Sequence, residues 1–118
     1  MKKYLIGAIT CILAFSTSYA TARELSAGEK NIIAEKVKAQ LKDPDSAKIE
    51  WQDYKGGEGY CAHVNAKNSY GGFAGKALII ASVKTDKSGT IVFADAIVHS
   101  GEMEAMMKSI CIDDGYSA

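Results

Sequence analysis

The spacing of apolar residues changes along this chain, and each change marks a different kind of segment. From Tyr4 to Phe15 the run is mostly apolar, broken only by Gly7 and Thr10. Further on, Ile32, Ile33, Val37 and Leu41 recur at helical spacing, with Ala34 widening the stripe and Lys30, Glu35, Lys36, Lys38 and Gln40 between them. That period predicts an amphipathic helix from about Ala27 to Leu41, its stripe lying on a sheet. Ser26-Ala27-Gly28-Glu29 gives the helix its start. The spacing is that of a capping box, in which Ser26 accepts from the backbone N–H three residues on and Glu29 reaches back to Ser26.

The period then shortens to two. Asp43-Pro44-Asp45-Ser46 reads as a turn, with proline fixing φ and the aspartates able to bond nearby backbone. Ala47, Ile49 and Trp51 alternate with Lys48, Glu50 and Gln52, the pattern of a half-buried strand. Gly56, Gly57 and Gly59 make a flexible turn, and Tyr60, Ala62, Val64 and Ala66 then alternate with Cys61, His63 and Asn65 as a second strand. Leu78 to Val83 is more continuously apolar and reads as a central strand. Asp86-Lys87-Ser88-Gly89 is a hairpin signal, and Thr90 to Val98 is the fourth strand, with Ile91, Phe93 and Ile97 apolar. Ser100 has the character of an N-cap, with Glu102 in the first turn. Met103, Met106, Met107 and Ile110 follow at helical spacing in a short helix to about Cys111. The methionine stripe reads as core packing, with a soft, adaptable binding surface as the alternative. The order predicts an α+β domain: an N-terminal helix packed on a roughly four-stranded antiparallel sheet, then a short C-terminal helix.

The opening run changes where this domain is expected to work. Lys2 and Lys3 precede it, and small, mostly polar residues follow it to Ser18-Tyr19-Ala20, the order of a secretory signal peptide over residues 1–20. Ala20-Thr21-Ala22 offers a second site, so cleavage follows Ala20 or Ala22. The apolar run falls short of the roughly 20 residues a membrane span needs. Cys11 follows Thr10 rather than a small lipoprotein-type residue and leaves with the signal. Removing 20 of 118 residues leaves 98, a single small domain over residues 21–118. The chain has 14 basic and 14 acidic residues, and the leader takes two lysines with it, for a mature net charge of −2. No basic cluster appears, which argues against nucleic acid, and no second stretch is long enough for a membrane span. Two cysteines remain, Cys61 and Cys111, and in an oxidising compartment an even pair is most simply one disulfide.

The densest candidate for recognition is Asn65 to Gly75, joining the second and third strands. Asn65, Lys67, Asn68, Ser69, Tyr70, Gly71, Gly72 and Phe73 combine glycine freedom with aromatic and polar side chains, and binding residues concentrate on such loops. The competing reading is a hairpin loop whose glycines satisfy geometry and whose aromatics cover the core edge. It is not a phosphate loop, since Gly75-Lys76-Ala77 lacks the metal-binding hydroxyl. Cys61-Ala62-His63 places a thiol and an imidazole on one strand face, and His99, Asp113 and Asp114 are further polar candidates. Zinc needs more clustered ligands than these, and a cysteine nucleophile needs a free thiolate that a disulfide removes.

Leu41-Lys42-Asp43-Pro44-Asp45-Ser46-Ala47, a cysteine strand, and Val64-Asn65-Ala66-Lys67-Asn68-Ser69-Tyr70-Gly71-Gly72 together resemble a family of small exported bacterial proteins, some carried on prophages or mobile elements. The resemblance covers roughly residues 30–80. It implies export and supplies no reaction or catalytic residues; Ala62 stands where it leads one to expect glycine. The expected function is a non-catalytic binding or accessory protein of the cell envelope: an inhibitor, an immunity-like protein or an envelope factor. It needs no cofactor, and its partner is another envelope or secreted protein. The alternatives are a small thiol enzyme or hydrolase using Cys61 with His63 or His99, and a structural subunit of an envelope assembly.

Overall fold

The computed structural model describes residues 22–67 and 73–118. The signal segment, its cleavage site after Ala20, and Asn68, Ser69, Tyr70, Gly71 and Gly72 lie outside these residues. The elements are α1 (Ala27–Lys38), a 3₁₀ turn (Pro44–Ser46), β1 (Lys48–Glu50), β2 (Gly59–Lys67), β3 (Phe73–Thr85), β4 (Ile91–His99) and α2 (Gly101–Asp113). The four strands form one antiparallel sheet in the order β1-β2-β3-β4. The α+β class, both helices, the antiparallel sheet and the Cys61–Cys111 disulfide all stand as expected.

Helix α1 begins where the sequence places it. Ser26 Oγ accepts from the Glu29 N–H and Glu29 Oε1 accepts from the Ser26 N–H, closing the capping box. It ends three residues before Leu41, because the Gln40 and Leu41 N–H groups bond three residues back and tighten the final turn. Ile33 and Val37 are fully buried. They meet the sheet face built by Tyr60, Ala62, Val64, Ile79, Ala81, Ala94 and Ala96, where four small alanines let the helix come close. Burying one such aliphatic side chain contributes about 2 kcal/mol.

The third strand is longer than its apolar run. The run predicts Leu78 to Val83, whereas β3 begins at Phe73 and pairs with β2 through Lys67↔Phe73, Asn65↔Lys76 and Val64↔Ala77. Gly75 takes φ 90° where the register shifts by one residue, a bulge, and the pairing resumes at Lys67↔Phe73. The strand is internal, as expected, and both Leu78 and Ile79 are fully buried although they point to opposite faces. The Asp86 hairpin forms too: the Asp86 carboxylate accepts from the Ser88 and Thr90 N–H groups, and Gly89 takes φ 86° to close the turn.

One buried carboxylate joins three segments. Glu29 is 2% exposed. It accepts two hydrogen bonds from Arg23 at 2.6 Å, one from the Ile91 N–H at 2.8 Å and one from the Ser26 N–H. Arg23 in turn donates to the Gly89 carbonyl and exchanges backbone bonds with Tyr54. The Arg23 guanidinium, with the Ile91 and Ser26 N–H groups, overrides burial and holds the Glu29 carboxyl at about 2, against an ordinary 4.5. Because the folded value is depressed, the stabilisation is present above the ordinary value and is lost as pH falls through about 2.

The second sheet face carries α2. Gly101 takes φ 63°, which turns the chain off β4 and back across the sheet. Ser100 occupies the N-cap position without making the side-chain bond expected of it. Cys111 and Cys61 are both buried and joined, with Cα atoms 6.0 Å apart. Beyond the helix, Tyr116 packs edge-on to Tyr60 at 5.4 Å; its hydroxyl accepts from the Lys55 N–H and donates to the Gly59 carbonyl. Gln52 then pairs its side-chain amide with both backbone groups of Ser117.

Two outcomes test this framework. Reducing the disulfide removes a 50-residue constraint on the unfolded chain, a loss of about 4 kcal/mol by loop-closure entropy, and sharply lowers Tm in a calorimetric scan. An unchanged melt with both thiols titrating refutes it. A displacement of Glu29 from 4.5 to about 2 corresponds to about 3 kcal/mol. Urea midpoints measured against pH are therefore expected to fall between about pH 5 and pH 2 in the wild type. Glu29→Gln starts lower at neutral pH and loses most of that slope.

Candidate functional site

The residues singled out in the sequence do not converge on a reaction centre. Cys61 and Cys111 are bonded to each other, so neither is a thiolate and the thiol-enzyme alternative lacks its nucleophile in this state. His63 and His99 share a sheet face but stand on either side of Leu78, in the register His63↔Leu78↔His99. His99 is the last residue of β4. Among the described residues, no group of three or more His, Cys, Asp or Glu is placed to hold a metal.

The expected recognition loop is narrower than the sequence suggests. Asn65 and Lys67 belong to β2, and Phe73 is the first residue of β3. Only Asn68 to Gly72 join the strands, and these lie outside the described residues. Beside this turn, a cleft of about 400 Å³ opens beyond the end of α1, lined among others by Leu41, Val64, Ala77, Val98, Lys42 and Ser100.

The larger feature is apolar surface left open along α2. Its sheet-facing side is Glu104, Met107 and Cys111, of which only Cys111 is fully buried. Met103, Met106 and Ile110 each lie one residue before a member of that row, on a neighbouring flank of the helix. They are 48%, 71% and 46% exposed. This corrects the expectation that the stripe is core; of its four residues only Met107 packs against the buried cluster. On the sheet below, Ile80 and Ile97 continue the row Cys61↔Ile80↔Ile97, and Ile97 is 58% exposed. A groove on the sheet has Ile80, Ile97, Glu58 and Asp95 among its lining residues.

The signal for this surface was in the sequence, in the disulfide. Once Cys111 is bonded to a strand, its helix face is fixed toward the sheet. Residues 104 and 107 share that face, while 103, 106 and 110 turn away from it. Periodicity alone finds the stripe and does not say which side of it meets the core.

Exposure sets an order of oxidation. Dilute peroxide is expected to convert Met106 to the sulfoxide ahead of Met107, read by peptide mass spectrometry; equal rates contradict the exposed-flank geometry. No family model matches the chain, and no curated protein or solved structure matches it.

Proposed function

We propose that this chain is a small exported binding or accessory protein of the cell envelope, working by contact rather than by catalysis. The observation that carries the reading is the open apolar surface of Met103, Met106, Ile110 and Ile97 in a domain with a well-filled core elsewhere. Contiguous exposed apolar side chains rimmed by polar residues mark interaction sites. The signal-like first 20 residues, the disulfide and the resemblance to small exported bacterial proteins support the envelope as the place of work. Neither helix α1 nor helix α2 is long and apolar enough to cross a membrane.

The contact is tested by co-purification of cross-linked envelope proteins with three forms: wild type, Tyr70→Ala/Phe73→Ala, and Met106→Asp/Ile110→Asp. The helix pair is expected to weaken capture of a specific partner by at least about tenfold, as for a hot spot, while the loop pair retains it. Equal capture by all three forms, or no partner cross-linked from position 106, overturns the reading. Both substituted helix positions are exposed, so an unchanged Tm and an intact disulfide serve as the control for folding.

A further inference from the structure

We infer that the open flank of α2 and the adjoining sheet groove receive a cationic amphipathic helix of a partner protein. The inference rests on the binding reading above and adds the chemistry of what is bound.

The apolar strip is bordered on one sign of charge. By helical period, Glu102, Met106, Ser109 and Asp113 form one row, which places a carboxylate at each end of the solvent side of the Met103–Met106–Ile110 strip. A right-handed helix that leaves the His99 end of β4 and crosses to Cys61 turns this strip toward Ile80 and Ile97. There Glu58 and Asp95 line the groove. Of the lysines on these elements, Lys84 sits 5.9 Å from the Phe93 ring centre, and Lys108 lies on the opposite flank of α2 by helical period. The acidic end of α2 is not explained by helix stability. Carboxylates favour a helix N-terminus and oppose its C-terminus, yet α2 ends in Asp113 and Asp114 with no basic residue in its last turn.

These charges choose among occupants. A second copy packed two-fold along the strip sets Glu102 opposite the copy's Asp113, like against like. An anionic lipid surface meets the same repulsion. A helix with an apolar stripe and basic flanks satisfies both features, its side chains entering between α2 and Ile97. The patch is small against the roughly 20–30 residues a side of stable interfaces, so binding on the order of micromolar is expected.

The test uses the oxidised, exported form of the protein and two labelled peptides of about five helical turns. One is built from leucine and lysine in amphipathic register, and the other has glutamate in place of lysine. Anisotropy is expected to show the lysine peptide bound at least about tenfold more tightly, with the difference shrinking at about 0.5 M salt, where screening acts over roughly 4 Å. Glu102→Lys/Asp113→Lys is expected to reverse the preference, a gain that misfolding cannot imitate; Met106→Asp weakens binding of both peptides. Equal binding of the two peptides overturns the inference, as does a preference that survives the charge reversal. Self-association abolished by Met106→Asp, or adsorption to anionic vesicles, assigns the surface to a different occupant. If an envelope partner is lost on Met106→Asp/Ile110→Asp but retained on charge reversal, the contact reading stands and the cationic partner does not.

Discussion

The bond between Cys61 and Cys111 decides what α2 offers to solvent. An amphipathic helix ordinarily stays on a sheet by burying its apolar stripe, and the stripe is then unavailable to anything else. Here the helix contributes a single fully buried side chain, and that side chain is the cross-linked one. Its far end is held by Tyr116 against Tyr60 and by Ser117 on the Gln52 amide. With attachment supplied by a covalent link and an anchored tail, the helix keeps Met103, Met106 and Ile110 outside. Redox state and surface are therefore connected: an oxidising compartment preserves the bond that presents the strip.

The opposite face of the sheet is closed by a different device. Helix α1 runs beside β4, and a polar side chain near each of its ends reaches the strand backbone. Glu29 accepts from the Ile91 N–H. Gln40 gives its amide N–H to the Ala96 carbonyl and accepts from the Val98 N–H. From Glu29 to Gln40 the helix advances roughly 16 Å, and from Ile91 to Ala96 the strand advances roughly 17 Å. The match lets one helix satisfy both ends of an edge strand that otherwise presents unpaired groups to other chains. With that edge tied at both ends, β4 offers little backbone for strand addition.

The two helices differ in how readable they are. For α1, the capping box, the apolar period and the basic last turn all agree, and its start, its buried face and its place on the sheet follow from them. Strand alternation placed β2 and β4 to within one residue at either end, and the even cysteine count gave the pair. What escaped was set by distant partners. The N-terminal extension of β3 depends on β2 pairing resuming beyond a register shift at Gly75, which no local pattern reports. The three hydrogen bonds of Glu29 beyond its cap depend on Arg23 and Ile91 arriving from elsewhere in the chain. The methionine stripe is visible in the helical period alone, but its direction follows only when that period is combined with the Cys61–Cys111 bond.

Considered together, the two helices differ in how far each obeys the rules of helix stability. Helix α1 follows every local rule: a capped start, Glu29 in the first turn, Lys36 and Lys38 in the last, and Ile33 and Val37 fully buried. Helix α2 departs from several at once. Its N-cap serine makes no side-chain bond, its last turn lacks a basic residue, and most of its apolar stripe faces water. One departure is ordinary in a natural protein; several on a single element point to a segment shaped by something besides folding. Methionine suits that segment, because an unbranched, polarizable side chain adapts to the surface it meets. The domain tolerates the arrangement because the burial α2 forgoes is offset by a cross-link, and the core under α1 does not depend on α2's exposed side chains.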